Sequence, residues 1–222
     1  MSRALVVELL GPAGAGKSTL ARDLRARDPS VRGPIGVWGL PLWALVSGAL
    51  DLVPHAVALA WRGRLPPLHQ LAQMARLGAL RRVVAREARR RAGLVLLDEG
   101  PIFALAWLDV FFPQADPAVS RWRARTLRMW RAQLDAVVHL DAPDPVLVQR
   151  IRTRAKPHPV KHDPDDAIGA FTAQFRAAFQ HALGELIATR PVTVLCVATH
   201  RQSSREAAVH VASALTEARR AG

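Results

Sequence analysis

The sequence has very little cysteine, and this shortage narrows its chemistry. Cys196 is the single cysteine, so the chain can form no internal disulfide bond. It also begins with no recognisable signal peptide, and we therefore expect a cytoplasmic protein. Cys196 lies in an apolar run, where we expect a buried and inert thiol. A chain of 222 residues is long enough for one α/β domain with an ample core.

Lysine is almost as scarce as cysteine. The chain has 31 lysines and arginines, and only three of them are lysines: Lys17, Lys156 and Lys161. We attribute the excess of arginine to a coding bias, since alanine is abundant as well. A surface position with no special requirement would then carry arginine. The three lysines therefore mark positions of interest.

Negative charge is also in short supply, because the formal net charge is +13. Such a chain attracts anions, which include nucleotides, nucleic acids and acidic lipids. Much of the positive charge lies in residues 81–91 and 121–131, with the spacing of solvated helix faces. The sequence lacks a zinc-type cluster, an RNA-binding aromatic signature and a basic tail, so we expect no nucleic-acid partner.

One segment near the start has the pattern of a phosphate-binding loop. The pattern GxxxxGK[ST] is satisfied by Gly11, Pro12, Ala13, Gly14, Ala15, Gly16, Lys17 and Ser18. An apolar strand pattern over residues 4–10 precedes this loop, and a helical pattern from about residue 18 to 27 follows it. In that order, backbone N–H groups and the helix dipole both favour phosphate. The segment predicts binding of a nucleoside triphosphate.

The side chains of this loop have expected roles. We expect Lys17 to reach the β- and γ-phosphates and Ser18 to ligate Mg²⁺, with Thr19 as a less favoured donor. ATP and Mg²⁺ are therefore the expected cofactors.

The rest of the chain alternates strand and helix patterns. Further apolar runs predict strands at 93–98, 136–141 and 191–197, with a weaker candidate at 35–38. Helical patterns cover about 67–92, 117–134, 144–155, 165–188 and 203–220. Strands this apolar are typical of a parallel sheet buried between two helix layers. We therefore predict a three-layer α/β fold in which residues 1–222 form a single domain.

Residues 33–92 interrupt the alternation with an apolar segment followed by a basic one. From Gly33 to Trp61 the only formal charge is Asp51. The favoured interpretation is a pair of buried helices that cover the acceptor pocket. A membrane-surface or lipid-acceptor element is the alternative, because residues 62–91 are strongly basic. Pro41, Pro54 and Asp51 argue against a membrane span.

Two acids follow the predicted middle strand. Ligands of open α/β sheets bind at the carboxyl ends of the strands, so Asp98 and Glu99 should face the phosphate-binding loop. We assign Asp98 to the Mg²⁺ shell and Glu99 to the base or the acceptor site. Alternatively, Glu99 caps the following helix. Asp141, after the next strand, is more typical of a residue that ends the strand and caps a helix.

A second basic segment, residues 150–166, predicts a closing lid. Arg150 and Arg154 are four residues apart and would share one helix face. Pro157 and Pro159 then force an extended loop, in which Lys156 and Lys161 lie. Such a lid would neutralise the charge on a transferring phosphoryl group and exclude water. A solvated helix end is the alternative.

Together these motifs resemble the nucleoside and nucleotide kinase group of P-loop proteins, in particular deoxynucleoside and thymidylate kinases. The resemblance rests on the phosphate-binding loop, the acid pair and the pattern Pro143-x6-Arg150-Ile151-x2-Arg154-x-Lys156. It implies a five-stranded parallel sheet of order 2-3-1-4-5, Mg-ATP as the donor and a small acceptor that bears a hydroxyl or phosphate. Related kinases are often homodimers.

The sequence departs from these kinases on the acceptor side. They commonly have arginine directly after the strand-end acid, where this chain has Glu99. The tryptophan-rich residues 33–61 do not align with a nucleoside site. The leading hypothesis is therefore an ATP-dependent kinase for a small molecule. A regulatory NTPase and a membrane-associated kinase for a lipid alcohol are the alternatives.

Overall fold

The computed structural model describes residues 3–90, 93–113, 117–188 and 192–221. Its strands are β1 (Leu5–Leu10), β2 (Val31–Ile35), β3 (Leu94–Asp98), β4 (Ala136–Asp141) and β5 (Thr193–Ala198). The helices are α1 (Lys17–Arg27), α2 (Leu42–Ala60), α3 (Leu68–Arg90), α4 (Pro101–Phe111), α5 (Pro117–Arg131), α6 (Asp144–Thr153), α7 (Asp165–Ile187) and α8 (Ser204–Ala221).

The five strands form one parallel sheet of order β2-β3-β1-β4-β5. This confirms the predicted fold class and strand order. Because β1 is central, its carboxyl end lies beside those of β3 and β4: Leu9 is in register with Asp98, and Leu10 with His139. The loops that leave these three strands therefore meet at one edge of the sheet.

Alternate residues of the strands point into two separate cores. Val6, Val95 and Val137 pack in the core that includes side chains of α3, α4 and α7. Val7, Leu9 and Val138 pack in the other core, under α1 and α8. Apolar residues on both faces of the strands thus produce the three-layer arrangement.

The edge strands differ from the sequence prediction. Strand β2 occupies 31–35 instead of 35–38, and it includes Pro34, which an edge strand tolerates because one of its sides carries no ladder. On the opposite edge, Cys196 in β5 is exposed, so the expectation of a buried thiol is wrong. The alternation along β5 points this side chain to a face that no helix fully covers. Pro191, in the predicted strand, lies outside the described residues.

The apolar segment forms a helical hairpin, but its first helix is not buried as expected. Helix α2 packs on α3 through an inner face of Ala44, Gly48, Leu52 and Leu59, while its opposite face is exposed. Among the described residues, α2 is the one helix that is long and apolar enough to cross a membrane, judged by length and composition alone.

Candidate active site

The phosphate-binding loop connects β1 to α1 at the edge where the strands end. Gly11 and Gly14 have φ values of +148° and +80°, a region that L side chains rarely adopt. A Cβ on Gly11 would lie 2.2 Å from the carbonyl oxygen of Leu140, so the loop requires glycine where it approaches β4. Helix α1 begins at Lys17, and its first N–H groups therefore face the loop.

Lys17 lies between the loop and the strand-end acids. Its Nζ donates to the carbonyl oxygens of Gly11 at 2.6 Å and Pro12 at 3.1 Å. Burial lowers the pKa of Lys17, while the negative charges of Asp98 and Glu99 raise it. The ammonium group of Lys17 therefore lies between the phosphate-binding loop and the two acids.

A side-chain hydrogen bond between Ser18 and Asp98 joins the start of α1 to the end of β3. Ser18 Oγ donates to Asp98 Oδ2 at 3.2 Å. The other carboxylate oxygen, Oδ1, is buried and has no hydrogen-bond partner among the described residues. Hydroxyl and carboxylate oxygens are hard ligands, and Mg²⁺ usually takes one or two protein oxygens beside phosphate and water. This pair therefore fits Mg²⁺.

Glu99, which directly follows β3, has a strained backbone. Its φ is +62°, the single positive φ among the described non-glycine residues, and such conformations persist where the surrounding structure holds them. Here the Glu99 carbonyl oxygen accepts a hydrogen bond from Val37 N at 3.1 Å. This backbone bond joins the turn after β3 to the segment that follows β2.

The charges around Glu99 show what its carboxyl group faces. Burial and the nearby Asp98 raise its pKa, whereas Lys17, Lys156 and Arg154 lower it. Glu99 therefore lies among the metal-side acid, the phosphate-side lysine and two basic residues that follow α6. A carboxyl group with a raised pKa in such a cleft is suited to accept a proton.

Helix α4 is capped by Glu8, not by Glu99. The N–H groups of Ile102 and Phe103 donate to the Glu8 carboxyl oxygens at 3.0 and 2.9 Å, and Gly100 is the N-cap with no side-chain bond. The alternative of Glu99 as the cap is therefore wrong. Glu8 is fully buried, and this burial raises its pKa to about 8.

The apolar pattern of β1 concealed the role of Glu8. An acid inside an otherwise apolar buried strand was the signal that would have revealed it, since such a group requires a partner. Helix α4 itself was not predicted either, because its residues are apolar on nearly all sides and show no clear helical period.

Arg150 has a different position from the one predicted for a lid arginine. Its Nη1 donates to the Gly14 carbonyl oxygen at 3.2 Å and to Thr199 Oγ1 at 2.9 Å, and Nη2 donates to Thr199 O at 3.0 Å. Arg150 thus joins the phosphate-binding loop to the turn after β5. Its guanidinium group is already held by neutral oxygens of the scaffold.

Arg154 lies outside helix α6, so it does not share a helix face with Arg150 as expected. The helix ends at Thr153. Arg154, the next residue, has extended backbone angles, so the chain leaves the helix axis there. Arg154 and Lys156 both influence the pKa of Glu99. Lys161 instead donates to the Arg154 carbonyl oxygen at 2.6 Å and fixes the loop after α6.

Asp141 is held by an arginine of α7 that the sequence analysis assigned no role. Arg176 Nε donates to Asp141 Oδ2 at 2.9 Å, and Nη2 donates to the Ala142 carbonyl oxygen at 2.8 Å. Arg176 also forms an ion pair with Asp144 at the start of α6. Asp141 is the last residue of β4, as expected, but helix α6 has no side-chain cap, so the prediction that Asp141 caps it is wrong. Asp141 instead helps to hold α6 and α7 together.

Helix α3 contains a polar side chain on its buried face. Gln73 is fully buried, and neither its Oε1 nor its Nε2 has a partner among the described residues. One turn later, the Arg76 guanidinium lies 4.6 Å from the centre of the Trp38 ring. Trp38 directly follows Val37, whose N–H donates a hydrogen bond to the Glu99 carbonyl oxygen. Through Trp38, this part of α3 lies near the strand-end acids. A polar residue on the apolar face of α3 was the signal for it.

Solved structures share this architecture over almost the whole chain. The chain is similar to a deoxyadenosine kinase from M. mycoides with the products dCMP and a flexible dCDP bound: the identity is 12%, the TM-score is 0.58, and 96% of this chain and 100% of that chain are covered. It is also similar to a shikimate kinase from Bacteroides thetaiotaomicron, with 16% identity, a TM-score of 0.55 and coverage of 96% and 98%. The chain has the fold of P-loop kinases.

The resemblance drawn from the motifs is therefore confirmed at the level of the fold. A second deoxyadenosine kinase structure, with dATP bound, matches with 12% identity and a TM-score of 0.54. No protein-family model matches the chain, and no curated protein matches it by sequence. At these identities the P-loop kinase fold is shared, and the chemistry must be argued from the residues of the site.

Proposed function

We propose that the protein is a kinase that transfers the γ-phosphoryl group of ATP to a small metabolite bearing a hydroxyl or a phosphate. One observation carries the proposal: Lys17, the Ser18–Asp98 pair and the strained Glu99 meet where β1 and β3 end. These residues supply a phosphate-binding cation, oxygen ligands for a metal and a carboxyl group to activate an acceptor, which are the parts that phosphoryl transfer requires.

Residues of the loop would bind the donor. Backbone N–H groups of Gly11–Ser18, together with Thr19, would hold the phosphates, and Lys17 would turn from its own loop carbonyls to the β- and γ-phosphates. Ser18 and Asp98 would hold Mg²⁺, which neutralises charge on the β- and γ-oxygens when bound. Arg150 would keep the loop in shape through Gly14.

Glu99 is the favoured base, because Asp98 accepts a hydrogen bond from Ser18 and is assigned to the metal. For a hydroxyl acceptor, the oxygen would attack the γ-phosphorus, its proton would pass to Glu99, and the bond between the γ-phosphorus and the bridging oxygen would break to release ADP. Arg154 and Lys156 would stabilise the charge on the transferring group. Gln73 would recognise a polar group of the acceptor through its amide.

Acceptor-dependent ADP formation with a metabolite library tests this proposal. We expect Lys17→Ala to abolish ADP formation and Glu99→Gln to reduce it by about a hundredfold or more, while Glu99→Gln retains nucleotide binding. Full activity in both variants would refute the mechanism. Rapid hydrolysis that no acceptor stimulates would instead favour the regulatory NTPase.

The exposed face of α2 favours a lipid alcohol as the second candidate acceptor. We further propose that the enzyme works in the cytoplasm and that its partners are a nucleotide and the small-molecule acceptor. The homodimer expected from related kinases stays a prediction, which sedimentation velocity would test.

A further inference from the structure

The outer face of helix α2 is a continuous apolar stripe exposed to solvent. We call it the α2 stripe; it consists of Leu42, Trp43, Val46, Leu50, Val53, Val57 and Trp61. Most of these residues are three or four positions apart, which places them on one side of the helix. Leu42, Leu50 and Trp61 are 76%, 65% and 88% exposed.

The α2 stripe runs along the whole length of the helix. At 1.5 Å per residue it extends for about 28 Å, and two more exposed leucines follow it, Leu65 in the next loop and Leu68 at the start of α3. Contiguous apolar patches of this size mark sites where a partner or a membrane binds.

The charge around the stripe identifies the partner's chemistry. Between Asp28 and Glu87 the only acid is Asp51, and Arg82 Nη2 pairs with it at 2.6 Å. From residue 62 to residue 86 the chain contains six arginines: Arg62, Arg64, Arg76, Arg81, Arg82 and Arg86. The partner must therefore combine an apolar surface with negative charge.

Tryptophan and arginine are paired along the stripe in a way that suits such a partner. The Arg86 guanidinium lies 5.6 Å from the centre of the Trp43 ring, and Arg76 lies over Trp38. Tryptophan is enriched where apolar chains meet polar headgroups, and arginine at that depth contacts lipid phosphates. Trp61, followed by the exposed Arg62, repeats the combination at the other end of α2.

We propose that the α2 stripe docks on the surface of a membrane that contains anionic lipids. The helix would lie in the plane of the interface, because its inner face is packed on α3, where Gly48 contacts the backbone of Ala75. A second copy of the chain fits the stripe less well, since two such surfaces would bring their arginines together. Docking is independent of which acceptor the enzyme phosphorylates.

Flotation with lipid vesicles tests the proposal on the full chain. Wild type is mixed with vesicles of phosphatidylcholine, or with vesicles in which about a third of it is replaced by phosphatidylglycerol. We expect wild type to float with the anionic vesicles at low salt and to be released at high salt. The double variant Leu50→Asp/Val57→Asp should lower the bound fraction about tenfold or more.

A charge-matched variant separates the stripe from general electrostatics. Ile187→Asp/Val209→Asp adds the same two charges at exposed apolar positions of α7 and α8 and should float like wild type. Circular dichroism and nucleotide binding confirm that both variants are folded. The proposal is overturned if wild type stays with the soluble fraction, if both double variants bind equally, or if wild type is a dimer that only Leu50→Asp/Val57→Asp dissociates.

Discussion

At the level of single residues, the three acids of the site differ in their surroundings. Glu8 is sealed beneath α4, Asp98 shares a bond with Ser18, and Glu99 is partly exposed among basic residues. Burial raises the pKa of both Glu8 and Glu99, but only Glu99 has several basic side chains close enough to lower its pKa in the opposite direction. That difference allows one of the three acids to support structure while the others support chemistry.

Glu8 predicts an unusual pH dependence of stability. Its pKa is about 8 in the folded chain, above the ordinary value of an unfolded carboxyl group, so the folded state keeps a proton that the unfolded state releases. The free energy of unfolding should therefore fall as the pH rises from about 5 to 8, by an amount on the order of 5 kcal/mol. Urea unfolding across this range measures it.

The variant Glu8→Gln provides the control. It cannot ionise, so it should lose most of this slope, although it will be less stable at low pH because one N–H of α4 then faces an amide donor. An identical slope in both proteins would mean that another group titrates.

Arg150 and Arg154, both predicted to be lid arginines, should have different effects on stability and activity. Arg150→Ala removes three hydrogen bonds to scaffold oxygens and should lower the free energy of unfolding by about 1–3 kcal/mol. Arg154→Ala should leave stability within about 0.5 kcal/mol and lower kcat about a hundredfold. Urea unfolding and turnover, measured side by side, distinguish them. A catalytic defect without loss of stability in Arg150→Ala would contradict this assignment.

The sequence motifs indicated candidate residues for phosphate binding, but not the side chains that contact these residues in the structure. The loop pattern identifies Gly11, Lys17 and Ser18, because they lie within eight consecutive residues of one motif. The contacts of Arg150 and Arg176 join residues that are far apart along the chain, and no local pattern reports them.

At the level of elements, the α2–α3 hairpin depends on a close helix crossing. A Cβ on Gly48 would lie 2.2 Å from the Ala75 carbonyl oxygen, so Gly48→Ala should separate the helices and cost about 2 kcal/mol or more. Gly169→Ala, in a helix with nothing within 4 Å of the added atom, should stabilise by about 0.5–1 kcal/mol. Thermal unfolding compares the two, and equal effects would contradict the crossing.

Element positions were predictable where the hydrophobic period is clear. Helices α5, α6 and α7 begin at the predicted residues and end within three residues of the prediction. Helix α4 was missed because its apolar side chains surround the helix, and β2 was misplaced because an edge strand with a proline has a weak pattern. The exposure of α2 was unpredictable from hydropathy, since a helix this apolar, with Asp51 as its one charged residue, normally lies in a core.

At the level of the whole molecule, the alternation of strands and helices predicted a buried parallel sheet. The order of the strands came from the resemblance to P-loop kinases, and the structure confirms it. Identities of 12% to 16% preserve this architecture, and they carry no information on the residues that would select the acceptor. The fold was therefore predictable from the motifs, while the roles assigned to the donor and acceptor residues stay predictions.

Transfer of the labelled γ-phosphoryl group of ATP tests the central claim most directly. Wild type and Lys17→Ala are incubated with labelled ATP, Mg²⁺ and a mixture of hydroxyl- and phosphate-bearing metabolites, and the products are separated. We predict that wild type moves the label onto one class of organic acceptor and that Lys17→Ala forms no labelled product. If wild type releases the label only as inorganic phosphate, whatever acceptor is supplied, the protein is not a small-molecule kinase.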